Sequence, residues 1–430
     1  MKKIIVIGGG FAGLSCASFL ANSGFKIQLL EASPKLGGRA YSFVDKDSKA
    51  VVDNGQHILM GCYNETLKFF QLIGAGNNLI KQPNLSLNFI KKNFEQCPLI
   101  ATNSIYPLNI LSACLNYSAI SSYEKYLLIK FFVKIYLYTD KELNRLTVFE
   151  WLIKEKQTVN LIKSFWEILS VAALNTDMKK ASAKLFASIL KEIFFHGNAA
   201  STIILPSLGL SESYCNNAEK FITDKAGELS FSEQVIKLNF QNNIINQIIT
   251  TKRKITGFDF VISCIPLYAL KKIISDNSFL ADFNLDYSSI LTVHLFLKEN
   301  RFEKTFYGLI DSPVQWVFNK GTHLAVVISN ADYLIEKSAE DIIELITCEL
   351  NKYIGLEKGE LISYKIIKEK RASFIPSNDI IDKRPSAPTP FQNFFLAGDW
   401  TNTGLPATIE SAVKSGKLAS KAVREQSLTT

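Results

Sequence analysis

The sequence has little of what would announce a metal, a disulfide framework or a membrane span. Its seven cysteines are an odd number and show neither a CxxC pair nor a Cys/His metal spacing. That excludes a zinc module and a disulfide scaffold, and leaves reduced, buried thiols as the simple reading, in a cytoplasmic setting. No apolar run reaches the roughly 18 residues of a spanning helix. The richest run, Tyr126 to Tyr138, is interrupted by Lys130 and Lys134. Met1-Lys2-Lys3 ahead of an apolar stretch imitates a secretory leader, but three glycines inside that stretch break the pattern. There is no Ser/His/Asp constellation and no paired-carboxylate hydrolase pattern. Arginine is rare: of 48 basic residues only seven are arginine. The net charge is +8, yet the lysines are spread, and Lys252-Arg253-Lys254 falls in an expected hairpin. A solvated basic surface with some attraction to anionic lipid fits this better than a nucleic-acid interface.

What is present begins at the N-terminus. Ile4-Ile5-Val6-Ile7 is apolar and β-branched, the pattern of a buried parallel strand. Gly8-Gly9-Gly10-Phe11-Ala12-Gly13 follows as a G-x-G-x-x-G element, then a helical pattern from Leu14 to Ser23 closed by Gly24. A second strand, Lys26 to Leu30, ends on Glu31, 18 residues past Gly13. Gly8 permits the tight turn, Gly10 lets backbone approach a pyrophosphate, and Gly13 lets helix pack on strand. The phosphates would sit on the helix N-terminus at Phe11 and Ala12, and Glu31 with Ala32 would meet a ribose. Strand, glycines, helix and acid in this order point to dinucleotide binding. The bland alternative is a Gly-rich turn in another α/β domain.

Leu36-Gly37-Gly38-Arg39 then follows Glu31 closely. This E-x(5)-G-G-R run resembles the flavin-containing amine oxidase and carotenoid desaturase superfamily. Gly38 would let backbone lie on the cofactor and Arg39 would reach its phosphates bidentately. The resemblance implies FAD rather than NAD. Next comes an expected hairpin (Tyr41-Ser42-Phe43 with Val51-Val52), then Asp53-Asn54-Gly55-Gln56-His57 before a helix from Tyr63 to Ile73. In the resembled superfamily this segment passes beside the flavin, which makes Gly55, Gln56 and His57 contact candidates. Two readings of His57 stay open, a catalytic or flavin-contacting group and a hydrogen-bonded histidine in a turn.

Between Gly76 and Gly197 glycine is absent, and helical periodicity takes over: Leu108–Cys114, Ser122–Tyr138, Val148–Glu155, Val159–Ala173 and Lys180–Phe195. Aromatics such as Phe131, Trp151, Trp166 and Phe186 read mainly as core, with some of the set available to line a long apolar tunnel. Strand patterns return at Glu233–Leu238, where Val235 would lie against the adenine, and at Asp259–Pro266. Further strands are expected at Ser289–Leu297, Gln315–Asn319, His323–Ser329 and Ile362–Lys370, and a helix at Ala339–Tyr353. His294 and His323, in strand-like runs, read as structural histidines with no ligand partner. The C-terminal strand Phe394–Ala397 leads into Gly398-Asp399-Trp400-Thr401 and a helix near Thr408, after Pro406-Ala407. This matches the superfamily's second FAD element, which implies Asp399 on the ribitol or pyrophosphate and the helix N-terminus at the flavin pyrimidine.

The implied fold is α/β: a Rossmann-like FAD domain of amine-oxidase and glutathione-reductase type, from residues 1–80, 204–266 and 385–430. A mixed substrate domain, helical in part and with an antiparallel sheet, would use residues 81–203 and 267–384. Residues 52–63, Ala172-Ala173-Leu174-Asn175-Thr176 and 397–412 narrow the resemblance to the squalene-associated FAD-dependent desaturases, whose assigned activity is dehydroxylation of hydroxysqualene to squalene. That implies a long-chain isoprenoid substrate, with reduced FAD giving hydride to a carbon that loses an allylic hydroxyl. His57 would serve as proton donor and Asn175 as a substrate contact. A lipid-resident substrate would bring the chain to the inner face of a membrane. The alternatives are a carotenoid desaturase running oxidatively, an amine oxidase with Trp400 as one wall of an aromatic cage, and a non-catalytic isoprenoid carrier like the GDP-dissociation inhibitors. The paired FAD elements weigh against the carrier.

Overall fold

The computed structural model describes residues 1–274 and 278–429. Residues 275–277 and 430, within the expected domain spans, lie outside the described residues. Five short strands far apart in sequence form one parallel sheet. Its order is Glu228–Ser230, Lys26–Leu30, Lys3–Ile7, Phe260–Ser263, Phe394–Leu396. Ile4, Ile5 and Val6 are completely buried in its centre. Ile4 and Val6 pack on one face with Leu14 and Ala17 of the first helix, Phe11–Asn22. Ile5 and Ile7 face the other way, into the large shared core. Burial on both faces is what an unbroken β-branched run requires.

The first helix lies against the C-terminal helix Ile409–Ser427. A side-chain carbon on Gly416 would come within 2.4 Å of Ser15 Oγ and 2.6 Å of the Ala12 carbonyl oxygen, so this contact needs glycine. Gly24 adopts φ +84° just past the first helix, and the Phe25 N–H returns to the Leu20 carbonyl, as a glycine-closed helix should.

A second, seven-stranded sheet has the order Leu361–Phe374, Tyr287–Leu297, Leu324–Ser329, Trp316–Asn319, Phe306–Leu309, Ser86–Ile90, Gln96–Ile100. Its pairings are antiparallel except where Phe306–Leu309 meets Ser86–Ile90. Leu324, Val326 and Ile328 face helix Ala339–Ile354, while Ala325 and Val327 face the shared core. The strands at 86–100 were not expected. Gln96–Ile100 contains Pro98 and sits at the sheet edge, where a missing N–H is tolerated.

The helical segment comprises Leu108–Asn116, Ser122–Lys134, Val148–Lys154, Glu167–Leu174 and Ala183–Phe194 as its main helices. Ser121/Glu124 and Thr147/Glu150 form reciprocal caps. The expected single helix from Val159 to Ala173 is interrupted by a wider turn at Ile162–Trp166. The expected start at Lys180 moves to Ala183, because Ser182 caps there by accepting from the Leu185 N–H. Likewise the strand expected at Glu233 begins at Val235, and Glu228–Ser230, where no strand was expected, is itself the edge of the first sheet.

Candidate functional site

The glycine loop has the geometry its spacing implies. Gly8 adopts φ +106°, and a side-chain carbon on Gly13 would sit 1.8 Å from the Gly8 carbonyl oxygen. Gly10 is the N-cap of the first helix and no side chain caps that end. The first-turn N–H groups at Phe11, Ala12 and Gly13 are therefore placed for an anion. Opposite stands the second glycine pair. A carbon on Gly38 would lie 3.1 Å from Gly10 Cα, so the two segments approach backbone to backbone. Tyr214, on helix Leu210–Asp224, fixes this approach. Its ring stacks on Phe11 at 3.9 Å, and its hydroxyl donates toward the Gly37 and Ala40 carbonyls at 3.2 and 3.0 Å.

Glu31, buried at the end of its strand, accepts from the Gly9 N–H at 2.6 Å and the Ser33 N–H at 2.7 Å. Each carboxylate oxygen keeps a lone pair for a ribose hydroxyl. Ala32 beside it is exposed. Arg39 was expected on the phosphates, and two of its five guanidinium N–H donors are engaged by the protein. It donates to Asp399 at 2.6 Å and to the Ala372 carbonyl at 3.2 Å. Burial disfavours the Arg39 charge, yet Asp399 outweighs it and the pKa is raised. This pair joins two motifs 360 residues apart.

Around Asp399 the C-terminal element is tightly held. Gly398 has φ +142° and receives the Ser415 hydroxyl's acceptance of its N–H at 2.7 Å. Trp400, the suggested cage wall, is instead packed inward. It is 2% exposed, and its indole N–H donates to the Ile265 carbonyl at 3.1 Å. Pro406 is buried and Ala407 half-buried, and Thr408 caps the last helix by accepting from Ser411 N–H at 3.2 Å. Glu410 accepts from the Glu65 and Thr66 N–H groups at 3.0 and 2.9 Å, so it caps helix Asn64–Leu72. Burial raises the Glu410 pKa, with those bonds opposing.

The Asp53–His57 segment is stapled to the same place. Asn54 accepts from the Tyr41 N–H and donates to the Arg39 carbonyl, at 3.0 and 2.8 Å. Asp53 accepts from the Leu210 N–H at 3.0 Å and from Lys320 at 3.1 Å. Lys320 also donates to Gln56 at 2.9 Å. His57 Nε2 is buried and finds no partner among the described residues, and the same holds for Thr292 Oγ1. A carbon built on Gly55 would lie 3.8 Å from the first and 3.7 Å from the second. Burial lowers the His57 pKa, so the ring is neutral near pH 7.

Two further expectations change. His294 and His323, read as isolated, bond to each other at 2.9 Å (Nδ1 to Nε2) across neighbouring strands. His294 Nε2 meets the Asp53 carbonyl oxygen at 2.9 Å. Both are fully buried and remain structural. Asn175, read as a substrate contact, is a strut. Its amide donates to Ser373 Oγ at 2.8 Å and toward the Ser288 carbonyl at 3.4 Å, and accepts from the Asn330 N–H at 2.7 Å. It ends its helix at φ 47°, which asparagine tolerates. Val235 opens a strand of a separate three-stranded sheet with Ile244–Thr250 and Lys254–Ile255.

Sequence reasoning passed over Tyr214, Thr292, Lys320 and Arg384. Arg384 is 3% exposed and donates to the Leu405 carbonyl at 2.7 Å, holding the 399–405 loop. Burial pushes its pKa down to about 10, with Asp399 opposing. The scarcity of arginine, which drew attention to Arg39, applied equally to Arg384. Among the described residues there is no His/Cys/Asp/Glu group able to hold a metal ion.

An uncapped helix start behind a glycine turn, an acid at the next strand end and a second glycine-acid element at the last strand define an FAD-binding oxidoreductase. The residues fit that cofactor, because side-chain carbons at Gly8, Gly13 and Gly38 are excluded along one continuous backbone cradle. The model of the flavin containing amine oxidoreductases matches residues 11–424, and the chain belongs to that family. A hydroxysqualene dehydroxylase from Zymomonas mobilis subsp. mobilis is 25% identical over 431 residues, covering 97% of this chain and 98% of the relative. A 15-cis-phytoene desaturase from an Oncidium hybrid cultivar is 25% identical over 463 residues, covering 98% and 77%. Among solved structures, an oxidoreductase from Methanosarcina mazei superposes with a TM-score of 0.73 at 17% identity, covering 98% and 100%.

Proposed function

We propose that this FAD-dependent oxidoreductase removes the allylic hydroxyl of a long isoprenoid alcohol reductively, converting hydroxysqualene to squalene. The end-to-end match to a hydroxysqualene dehydroxylase carries this reading. In the net reaction the carbon–oxygen bond breaks, the carbon gains hydrogen and the oxygen leaves as water. Bound and reduced, FAD supplies the hydride. The chain's own residues have to hold the oxygen, exclude water and deliver a proton. His57 Nε2 and Thr292 Oγ1, both buried without partners, are the groups that can receive a substrate hydroxyl near Gly55. His57, neutral at rest, would meet the oxygen as a hydrogen-bonding group and would draw the proton it delivers from outside in the course of each turnover. The FAD contacts assigned from sequence, at Gly10, Glu31, Gly38, Asp399 and the Thr408 helix start, belong to the same proposal. So do the division into two domains and a peripheral location on a membrane that holds the substrate.

The test is anaerobic incubation of the reduced holoenzyme with hydroxysqualene. Flavin reoxidation with squalene formed is the expected result. Turnover of phytoene by the oxidised enzyme, without squalene formation, would favour the desaturase reading that the phytoene desaturase match supports.

A further inference from the structure

The exterior of the helical segment carries an exposed apolar face that the proposed chemistry does not use. On helix Leu108–Asn116, Leu108, Leu111 and Leu115 are exposed at i, i+3 and i+7, while Ala113 and Cys114 point inward. On helix Ser122–Lys134, Tyr123, Tyr126 and Val133 are exposed along one stripe, while Leu127, Leu128 and Phe131 are buried. Val133 is 67% exposed and Leu137, just beyond, 75%. The stripes are continuous, since Leu115, Tyr126 and Ile129 line one shallow groove with Lys125 and Lys130. Large exposed apolar side chains in such density are unusual on a free surface.

The charge of this face has one sign. Residues 101–138 contain Lys125, Lys130 and Lys134 against a single acid, Glu124. Glu124 is buried, caps its helix with Ser121 and bonds Thr158 and Asn160. Lys134 is neutralised by Glu155 at 2.7 Å. Lys125 donates to the Leu115 carbonyl at 2.6 Å, and Lys130 lies 5.7 Å from the Tyr126 ring, so neither charge is cancelled. No helix of the described residues is long and apolar enough to cross a membrane.

We propose that this two-helix face docks on the surface of a lipid bilayer bearing anionic headgroups. Leucine and valine would enter the acyl boundary, tyrosines would sit at headgroup depth, and Lys125 and Lys130 would meet lipid phosphates. Anionic lipid is favoured over a second copy, because a two-fold pairing would oppose the same lysines to one another. The bilayer as source of a lipid-soluble substrate rests on the function proposed above, whereas the face itself does not.

Flotation of the FAD-loaded chain with vesicles of phosphatidylcholine, with and without phosphatidylglycerol, tests the assignment. The chain should float with the anionic vesicles and release at high salt. Lys125→Glu with Lys130→Glu should lower that partition by at least roughly tenfold. Leu115→Ser with Val133→Ser should lower binding to both vesicle types. Flavin content and circular dichroism confirm that the variants fold. Failure of the parent chain to float, or variants that float like it, would overturn the proposal. So would sedimentation showing a dimer that the apolar variants split. Turnover of detergent-dispersed hydroxysqualene, measured in parallel, separates the two readings. Turnover without flotation sinks the docking face alone, and flotation without turnover sinks the substrate assignment alone.

Discussion

The glycine cradle and the interior of the helical segment between residues 101 and 203 are both buried, yet they are specified differently. In the cradle, individual positions admit one residue type. Gly13 stands 1.8 Å, from its absent side-chain carbon, to a backbone oxygen, and no neighbour can yield. In the helical segment, positions ask for volume and polarity. Phe131 lies 4.6 Å from both Trp151 and Trp166, tilted in a mutually packed cluster. One region is written in exact backbone geometry and the other in bulk.

Breaking each region should therefore fail differently. Gly13→Val should cost the most, because backbone has to move. We expect no soluble flavoprotein, and a folded yellow variant would refute the close approach. Gly10→Val is its milder partner, since a carbon there is 3.7 Å from Gly38 Cα. That variant should fold but emerge colourless, and retained FAD would show that the pyrophosphate lies elsewhere. Trp166→Ala should remove about 3–5 kcal/mol of stability, read by denaturant unfolding. It also strands Gln157, which accepts the indole N–H at 2.8 Å. Folded Trp166→Ala should carry a full complement of FAD, and a flavin-free variant would erase the contrast.

The histidine pair sharpens the comparison through pH. Burial holds His294 and His323 below their ordinary value of 6.5, His323 at about 4. Unfolded histidine binds its proton near pH 6.5, whereas folded His323 resists until about 4. The stabilisation is thus complete above pH 6.5 and is lost as pH falls toward 4, by up to about 3 kcal/mol for His323. Melting temperatures at pH 7 and pH 5 for the parent and His323→Gln would show it, and an equal drop in both would remove His323 as the cause. The smallest effect on stability is expected for His57→Ala. Its flavin content should be unchanged while reduction of the alcohol slows, and an unchanged rate would make His57 structural.

Elements whose backbone conformation is set by their own chain neighbours were legible in the sequence. Gly24, expected to close the first helix, adopts φ +84° just past it. The Gly8–Gly13 loop, the first helix and the Thr408 cap are of the same kind. Legibility fell where a partner came from afar. Glu228–Ser230 is too short to be read as a strand and exists because it pairs with Lys26–Leu30. The strands at 86–100 are paired by the sheet they complete.

By itself, then, the sequence determined the glycine turn and the uncapped helix start behind it, where the proposed function puts the dinucleotide pyrophosphate. Local backbone sterics at Gly8 and Gly13 leave no other choice. The tertiary structure alone decided that Arg39 pairs with Asp399, that Asn175 ties strands, and that His294 meets His323. It alone turned the leucines of one helix and the tyrosines of the next to a common exterior. These outcomes depend on contacts between residues tens to hundreds of positions apart, whose pairing no local pattern encodes.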